Sequence, residues 1–454
     1  MKFAYAKFRP SGKSLTARMT GAVGWNFTNI GVTFALRLAS NLIMTRLLMP
    51  DAFGLLAFAM TFATAVTLLT DLGIHQSIVR EKDQMGPRFL RTAWTVKIVR
   101  SLVISLGVLG LSFGLSFIGP KFAQPGSVMA HPEMPLLIAL TALAPLLEGL
   151  VSTNWTVCLR NMQFRPIAFL EIGSSLIRIA SQIAFALISP TVWALLVGML
   201  VGGIAKALLS HLFLQGPRMR LTWEKTIAAS LWSYGKWIMG SSLMSFFIRN
   251  SDKLVFGAYL SSVSMGLYVI AFIWIGAGQR VANIFVQSLG FPLVAELMRD
   301  RPDEARRLMR KYQTALDIFC LIGFCLLVLL GPALISLLYT PVYEDAGYLI
   351  QLLAPLLLAV RFDQLTNVLV AGGDSRALFW IATLVAVATL AFLNLGLYVG
   401  GLEAAITGMM LARFVSLPYL LIKTLAIFGP KQTAYDTAFG VGSIAATLGL
   451  YLFL

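Results

Sequence analysis

Arg37 and Arg249 each stand inside an apolar run, and their surroundings are alike. Asn29, Thr33, Arg37 and Asn41 follow one another at i+4 in the first run, and Ser241, Ser245, Arg249 and Lys253 do so in the second. At helical periodicity each set forms one polar stripe on one face. A guanidinium at the centre of a membrane helix costs roughly 2.5–3.5 kcal/mol, so such a stripe must meet water, an acid or a ligand rather than lipid. Guanidinium grips phosphate with two parallel hydrogen bonds. The chemistry these residues could do is therefore capture of an anion, above all one bearing phosphate.

Further charges lie deep in apolar sequence. Arg178, Lys206, Arg280, Arg361 and Arg413 are set against the acids Asp71, Glu148, Glu171, Asp317, Asp363 and Glu403. Six basic residues facing lipid would cost roughly 15–20 kcal/mol together, more than a marginally stable fold absorbs. Glu171, Ser174, Arg178 and Ser181/Gln182 share one helical face, as a coupling-ion site or as a structural Glu–Arg pair. Arg361, Gln364 and Asn367 form a comparable stripe, and Thr67, Asp71 and His75 are again i+4. The expected substrate contacts are Arg37, Arg249, Arg178, Arg280, Arg361, Asn29, Thr33 and Asn41. Asp71, Glu171 and Asp363 are the candidates to carry a coupling proton or sodium ion. Cys158, Cys320 and Cys325 and the scattered His75, His131 and His211 have no metal-ligand spacing, so neither a metal nor another cofactor is expected, and no catalytic residue is assigned.

The elements that position these residues follow from composition. Of 454 residues, 58% are hydrophobic and only 12% charged, too few charges to cover a soluble surface. Apolar stretches long enough to span recur throughout without the alternation of a transmembrane barrel, so the fold class is an all-α polytopic membrane protein. The expected spans are 21–45, 53–75, 96–118, 134–158, 166–189, 191–213, 229–250, 264–290, 313–338, 345–370, 376–398 and 401–427. A last apolar stretch, 434–454, is either a thirteenth span or the point where a longer relative would continue. The basic start, 1–20, lacks a cleavage pattern and precedes a retained first helix. With the amino terminus inside, nearly all loop lysines and arginines fall on the cytoplasmic side, against Arg46, Lys121 and Lys253 on the other. That asymmetry accounts for most of the net charge of +16 without nucleic acid.

An internal repeat organises the spans. At a shift of 212, Trp25 meets Trp237, Arg37 meets Arg249, Leu48 meets Leu260, and Gly54-Leu55 meets Gly266-Leu267. At a shift of 210, "LAPLL" at 143–147 meets "LAPLL" at 353–357. Each half has an even number of spans, so both enter the membrane in the same sense. The expectation is two parallel six-helix lobes, 21–213 and 229–427, joined by a cytoplasmic linker at 214–228 and followed by 428–454. A pseudo-two-fold axis along the membrane normal relates them, and the matched polar faces line a central cavity.

The stretch "TRLLMPDAFGLLAFAMTFATAVTLLTDLGIHQSIVREKD" (45–83) resembles the signature of polysaccharide transporter proteins. These are the Wzx-like lipid-linked oligosaccharide flippases of the multidrug/oligosaccharidyl-lipid/polysaccharide flippase superfamily. Arg46, Leu48, Pro50, Phe53, Gly54 and Asp71-Leu72-Gly73 carry the resemblance. Locally, "MPDAFG" also reads as a helix–turn–helix connection, with Pro50 setting the turn and Asp51 capping the next helix. The resemblance implies that the protein flips a polyprenyl-diphosphate-linked glycan from the cytoplasmic to the periplasmic leaflet of a bacterial inner membrane. It implies membrane lipids, a glycan polymerase and export machinery as partners. A multidrug exporter of the same superfamily and a membrane glycan polymerase or ligase are the rival readings. The external connection 119–133 offers such an enzyme only one His and one Glu, thin material for acid–base work.

Overall fold

The computed structural model describes residues 15–71, 73, 74, 78, 86–286, 302–371 and 375–454. Its helices are α1 (Leu15–Leu47), α2 (Pro50–Leu69), α3 (Pro87–Phe122), α4 (Met134–Thr141), α5 (Leu143–Leu150), α6 (Asn154–Arg160), α7 (Phe164–Ile188) and α8 (Val192–Phe213). They continue as α9 (Lys225–Tyr259), α10 (Ser262–Phe285), α11 (Pro302–Leu338), α12 (Asp345–Leu353), α13 (Leu356–Ala371), α14 (Ser375–Ala412), α15 (Leu417–Phe428) and α16 (Pro430–Phe453). The turn into α2 is built as its residues require. Pro50 is the first helical residue, and the Asp51 carboxylate accepts the Ala52 amide at 2.8 Å.

Among the described residues, ten helical segments are long and apolar enough to cross a membrane. An eleventh arises if Met134–Leu150 and Asn154–Arg160, bent by 59°, count as one broken span. The sequence leads one to expect twelve or thirteen, and two features account for the difference. Phe379–Lys423 counts once although its 45 residues far exceed the roughly 20 that one crossing needs. Its helix breaks at Gly400 and at Gly401, whose φ of 70° favours glycine. The break divides the stretches expected at 376–398 and 401–427. Helix α9 contains the span expected over 229–250 but is not among the ten. The stretch 434–454 does form a long helix, α16, which is among the ten.

The chain separates into two compact units. The first comprises Met1–Leu47, Thr70–Leu111 and Ile138–Met239. Here α7 and α8 pack closely because α8 turns small residues toward its neighbour. A methyl group at Gly198 would overlap the Gln182 side chain, and one at Gly202 would lie 2.6 Å from Arg178 Cβ, the close approach that glycine permits between membrane helices. A core of Ile74, Phe89, Leu90, Ala93, Val96, Val157, Ile227 and Leu231 closes one part of this unit.

The second unit comprises Leu48–Leu69, Ser112–Leu137 and Gly240–Leu454. Two segments from the expected first lobe therefore group with the second half. The reason is backbone contact at the repeat-related glycines. A Cβ at Gly54 would overlap the Ser262 carbonyl, and one at Gly266 the Pro50 carbonyl.

Around that crossing, each half of the repeat latches the other's turn. Val128 N donates to the Leu260 carbonyl at 2.9 Å, next to Gln124 N on the Ala258 carbonyl at 3.1 Å. Reciprocally, the Tyr343 hydroxyl donates to the Leu48 carbonyl at 2.7 Å, and Leu48 is the repeat partner of Leu260. Tyr343 is buried and stacks edge-on against Phe53.

Candidate functional site

In the first unit the predicted stripe on α1 faces α7. Asn29 Nδ2 donates to Glu171 Oε2 at 2.8 Å, and Ser40 Oγ donates to Gln182 Oε1 at 3.1 Å. Both bonds join residues 142 apart in sequence, so α1 and α7 run parallel and in register. Eleven residues separate the two rungs, about 16 Å along the axis. Arg37 and Arg178 fall between them, near enough for Arg37 to act electrostatically on Arg178.

Here the Glu171–Arg178 pair, one of the two readings of that face, is not formed; Glu171 takes Asn29 instead. Arg37 is exposed, and Arg178 is half-buried with its stem lying on Gly202. Arg178 Nε and Asn29 Oδ1 are buried atoms without a hydrogen-bond partner. Two guanidiniums therefore share one face with a single carboxylate that is bonded to an amide. Like charges placed together in a membrane protein are stabilised by an anion between them. Thr33 spends its hydroxyl on its own helix, donating to the Asn29 carbonyl at 2.6 Å, and Asn41 lies further along α1, half-buried.

The second unit carries the repeat equivalents. Arg249 on α9 and Arg280 on α10 are both exposed. One turn beyond Arg249, Lys253 lies 3.7 Å from Asp252 and over the Phe272 ring. Asp252 in turn accepts the buried Tyr268 hydroxyl at 2.5 Å. Gln279 on α10 donates to the Leu356 carbonyl at 3.4 Å.

Arg361, expected among the substrate contacts, is instead fully buried. Its Nε donates to Asp317 Oδ1 at 2.9 Å and its Nη2 donates to Asp436 Oδ1. Phe362 and Phe439 wall it at 5.5 and 5.7 Å from the guanidinium carbon. The pairing reflects its position on α13, enclosed by α11 and α16. Tyr435 donates to Asp317 Oδ2 at 2.9 Å, and Gln432 Nε2 donates to both Asp436 Oδ1 and Gln313 Oε1. Sequence reasoning weighed Asp317 as an acid partner but missed Asp436, Gln432, Gln313 and Tyr435. The signal was present: Gln432, Asp436, Gly440, Ser443 and Thr447 recur at helical spacing as the buried stripe of α16.

Of the coupling-ion candidates, Asp71 ends α2 by accepting the Gly73 amide at 3.1 Å, with Arg100 at 3.8 Å. Glu171 is held by Asn29 as above. The Asp363 side chain, like His75, lies outside the described residues. Among the described residues no group of three His, Cys, Asp or Glu side chains could hold a metal ion.

Comparison with known proteins gives a consistent picture. The family model described as "Polysaccharide biosynthesis protein" matches residues 43–347. The succinoglycan biosynthesis transport protein ExoT of Rhizobium meliloti (strain 1021) is 25% identical over 405 residues, covering 88% of this chain and 78% of that protein. The lipopolysaccharide biosynthesis protein WzxC of Escherichia coli (strain K12) is 21% identical over 328 residues, covering 72% of this chain and 62% of that one. In fold, the chain is similar to a multidrug resistance MATE family transporter of the MOP superfamily in its inward-facing conformation. That match has a TM-score of 0.63 at 14% identity and covers 88% of this chain and 98% of that one. It is also similar to the lipid II flippase MurJ in an inward closed conformation, with a TM-score of 0.62 at 13% identity, covering 94% and 97%.

Proposed function

Since the chain belongs to the polysaccharide biosynthesis protein family, a group of membrane transporters, we propose that its cargo is a glycan linked to a polyprenyl diphosphate. The protein moves it from the cytoplasmic to the periplasmic leaflet of a bacterial inner membrane by alternating access. Its amino terminus lies in the cytoplasm, as the lysine and arginine bias favours. The observation that carries the reading is the pair Arg37 and Arg178, held side by side on the face that α1 and α7 share. A diphosphate supplies the negative charge that this pair lacks, and planar guanidiniums match its oxygens. Arg249 and Arg280 are the corresponding candidate contacts carried by the second unit, with Asn29, Thr33 and Asn41 offering neutral hydrogen bonds beside Arg37. The two lobes of six helices and the roles of Asp71, Glu171 and Asp363 as coupling groups belong to the same proposal. Charge neutralisation by the head group gives the differential affinity that a conformational shift requires.

The test is native mass spectrometry of lipids that co-purify with the protein, comparing wild type with the Arg37→Gln/Arg249→Gln double variant. Wild type is expected to retain a polyprenyl-diphosphate glycan that the folded variant loses, at least tenfold by signal. Equal retention by both would make these arginines structural and put the site elsewhere. Binding of cationic dyes in place of any such lipid would replace the reading by drug export.

A further inference from the structure

We propose that a cavity at one end of the first unit binds an anionic phospholipid, with its phosphate held by Arg165. The proposal does not depend on the cargo. Its first support is location. The cavity, of about 380 Å³, is walled by Trp25, Phe164, Pro166 and Phe213. The apolar spans of α1, α7 and α8 run over Thr28–Leu47, Phe164–Ile188 and Val192–Phe213. Trp25 thus stands just before the first span, Phe164 opens the second and Phe213 closes the third. Three crossings meet the membrane surface here, at the depth where tryptophan and arginine concentrate. Arg37 lies twelve residues beyond Trp25 on α1, about 18 Å deeper, so the two sites are separate.

The second support is the setting of Arg165, which lines the cavity with Gln163 and Gln215. Its guanidinium carbon lies over the Trp25 ring at 5.7 Å and over the Phe169 ring at 5.8 Å, and the two rings are 5.9 Å apart. Aromatic faces fix a guanidinium while leaving its N–H groups available for an oxyanion. Among the described residues no carboxylate lies within ion-pair distance of Arg165. Glu171, further along α7, is engaged by Asn29.

The surrounding charge has the same sign. Helix α7 starts at this rim without a side-chain cap from Gln163, so the positive end of its dipole adds to the arginine. The connection 214–224 carries exposed Arg218 and Arg220 against Glu224 alone. A basic recess between membrane helices selects anionic head groups, whereas a zwitterionic lipid brings a cation of its own. A free phosphate ion would satisfy Arg165 but gain nothing from Trp25, Phe164 and Phe213. A phospholipid uses both, because its glycerol and upper chains meet those walls.

The turn that shapes the rim is preformed. Met162, exposed beside Arg165, has a φ of 57°, which residues with a side chain rarely adopt. Gln163 N donates to the Cys158 carbonyl at 2.8 Å and Met162 N to the Leu159 carbonyl at 3.0 Å, holding that conformation. The bound lipid touches α1, α7 and α8 together and ties α1 to the other two at this end.

The test is native mass spectrometry of the full-length protein, stripped of lipid in detergent and titrated with phosphatidylglycerol or with phosphatidylcholine of the same chains. Wild type is expected to bind one phosphatidylglycerol about tenfold more tightly than phosphatidylcholine. Arg165→Gln should remove most of that preference, and Arg165→Lys should keep part of it. Arg218→Gln/Arg220→Gln, outside the cavity, and Arg37→Gln/Arg249→Gln, at the proposed cargo contacts, should both retain it. Hydrogen exchange on wild type locates the lipid without any variant: phosphatidylglycerol should slow the amides of 161–165 and 213–216. Equal binding of the two lipids by wild type would overturn the proposal, as would protection confined to other segments or an undiminished preference in Arg165→Gln. Loss of the preference in Arg37→Gln/Arg249→Gln would place the lipid in the cargo site instead. Displacement by millimolar inorganic phosphate would make the cavity a site for the free anion and not for a lipid.

Discussion

Arg361→Ala is expected to destabilise the protein by about 3–5 kcal/mol, the usual consequence of stripping one partner from a buried ion pair. Asp317 would keep its buried position and its Tyr435 contact but lose its counter-charge. The α11–α13–α16 junction would lose both strong hydrogen bonds to the guanidinium. The readout is thermal unfolding in detergent, with the monodisperse fraction on size exclusion as a companion. Arg361→Lys should fall between, since an ammonium keeps the charge but not the fork that reaches two acids. Removing all three charges at once, in the triple variant Asp317→Leu/Arg361→Met/Asp436→Leu, should recover much of the loss, because the cost lies in the unpaired charge. A single Arg361→Ala variant as stable as wild type would show that the cluster contributes nothing to holding α16.

The second large effect is expected at the glycine crossing. In Gly266→Val the new side chain meets the Pro50 carbonyl and backbone, which no rotamer change can move aside. Overpacking of this kind costs roughly 1–3 kcal/mol, and here the strain is relieved by parting α2 from α10. Parting should expose Phe53, now buried. In a background with Cys325→Ser, which removes the exposed thiol, a Phe53→Cys reporter should react with a water-soluble maleimide at least tenfold faster when Gly266→Val is present. Under the proposed alternating access, net transport should fall in parallel, since a face that cannot close cannot alternate. Unchanged labelling would mean that the crossing yields elsewhere and is not the point where this face seals.

Much of this architecture was legible in the sequence because repetition makes its own controls. One arginine in an apolar run is ambiguous, and Arg37 and Arg249 at matched positions raise the expectation of polar faces; both side chains are exposed. Gly54 and Gly266 were visible only as matching letters. That they touch each other could not be read, because a repeat offset states equivalence and says nothing of contact. The register of α1 against α7 was likewise out of reach. It rests on Asn29 finding Glu171, and a carboxylate with an arginine two turns along its own helix reads equally as an ion site or as that arginine's partner. Arg361 was placed on a substrate-facing stripe with Gln364 and Asn367, yet its burial is decided by α16, whose polar positions are spread thinly through an apolar stretch. Long-range charge pairing depends on which helices enclose which, and periodicity within one helix carries no such information.

The two latches around the glycine crossing differ in what they ask of the sequence. On one side the donor is the Val128 amide, and any residue except proline supplies it. That contact can survive almost unlimited substitution at its own position. On the other side the donor is the phenol of Tyr343, a single oxygen at the end of one particular side chain, and among common replacements none restores it in place. The sequence repeat thus conceals an inequality in mutational tolerance. One half of the contact is written in the main chain, and the other half hangs on the identity of a single residue.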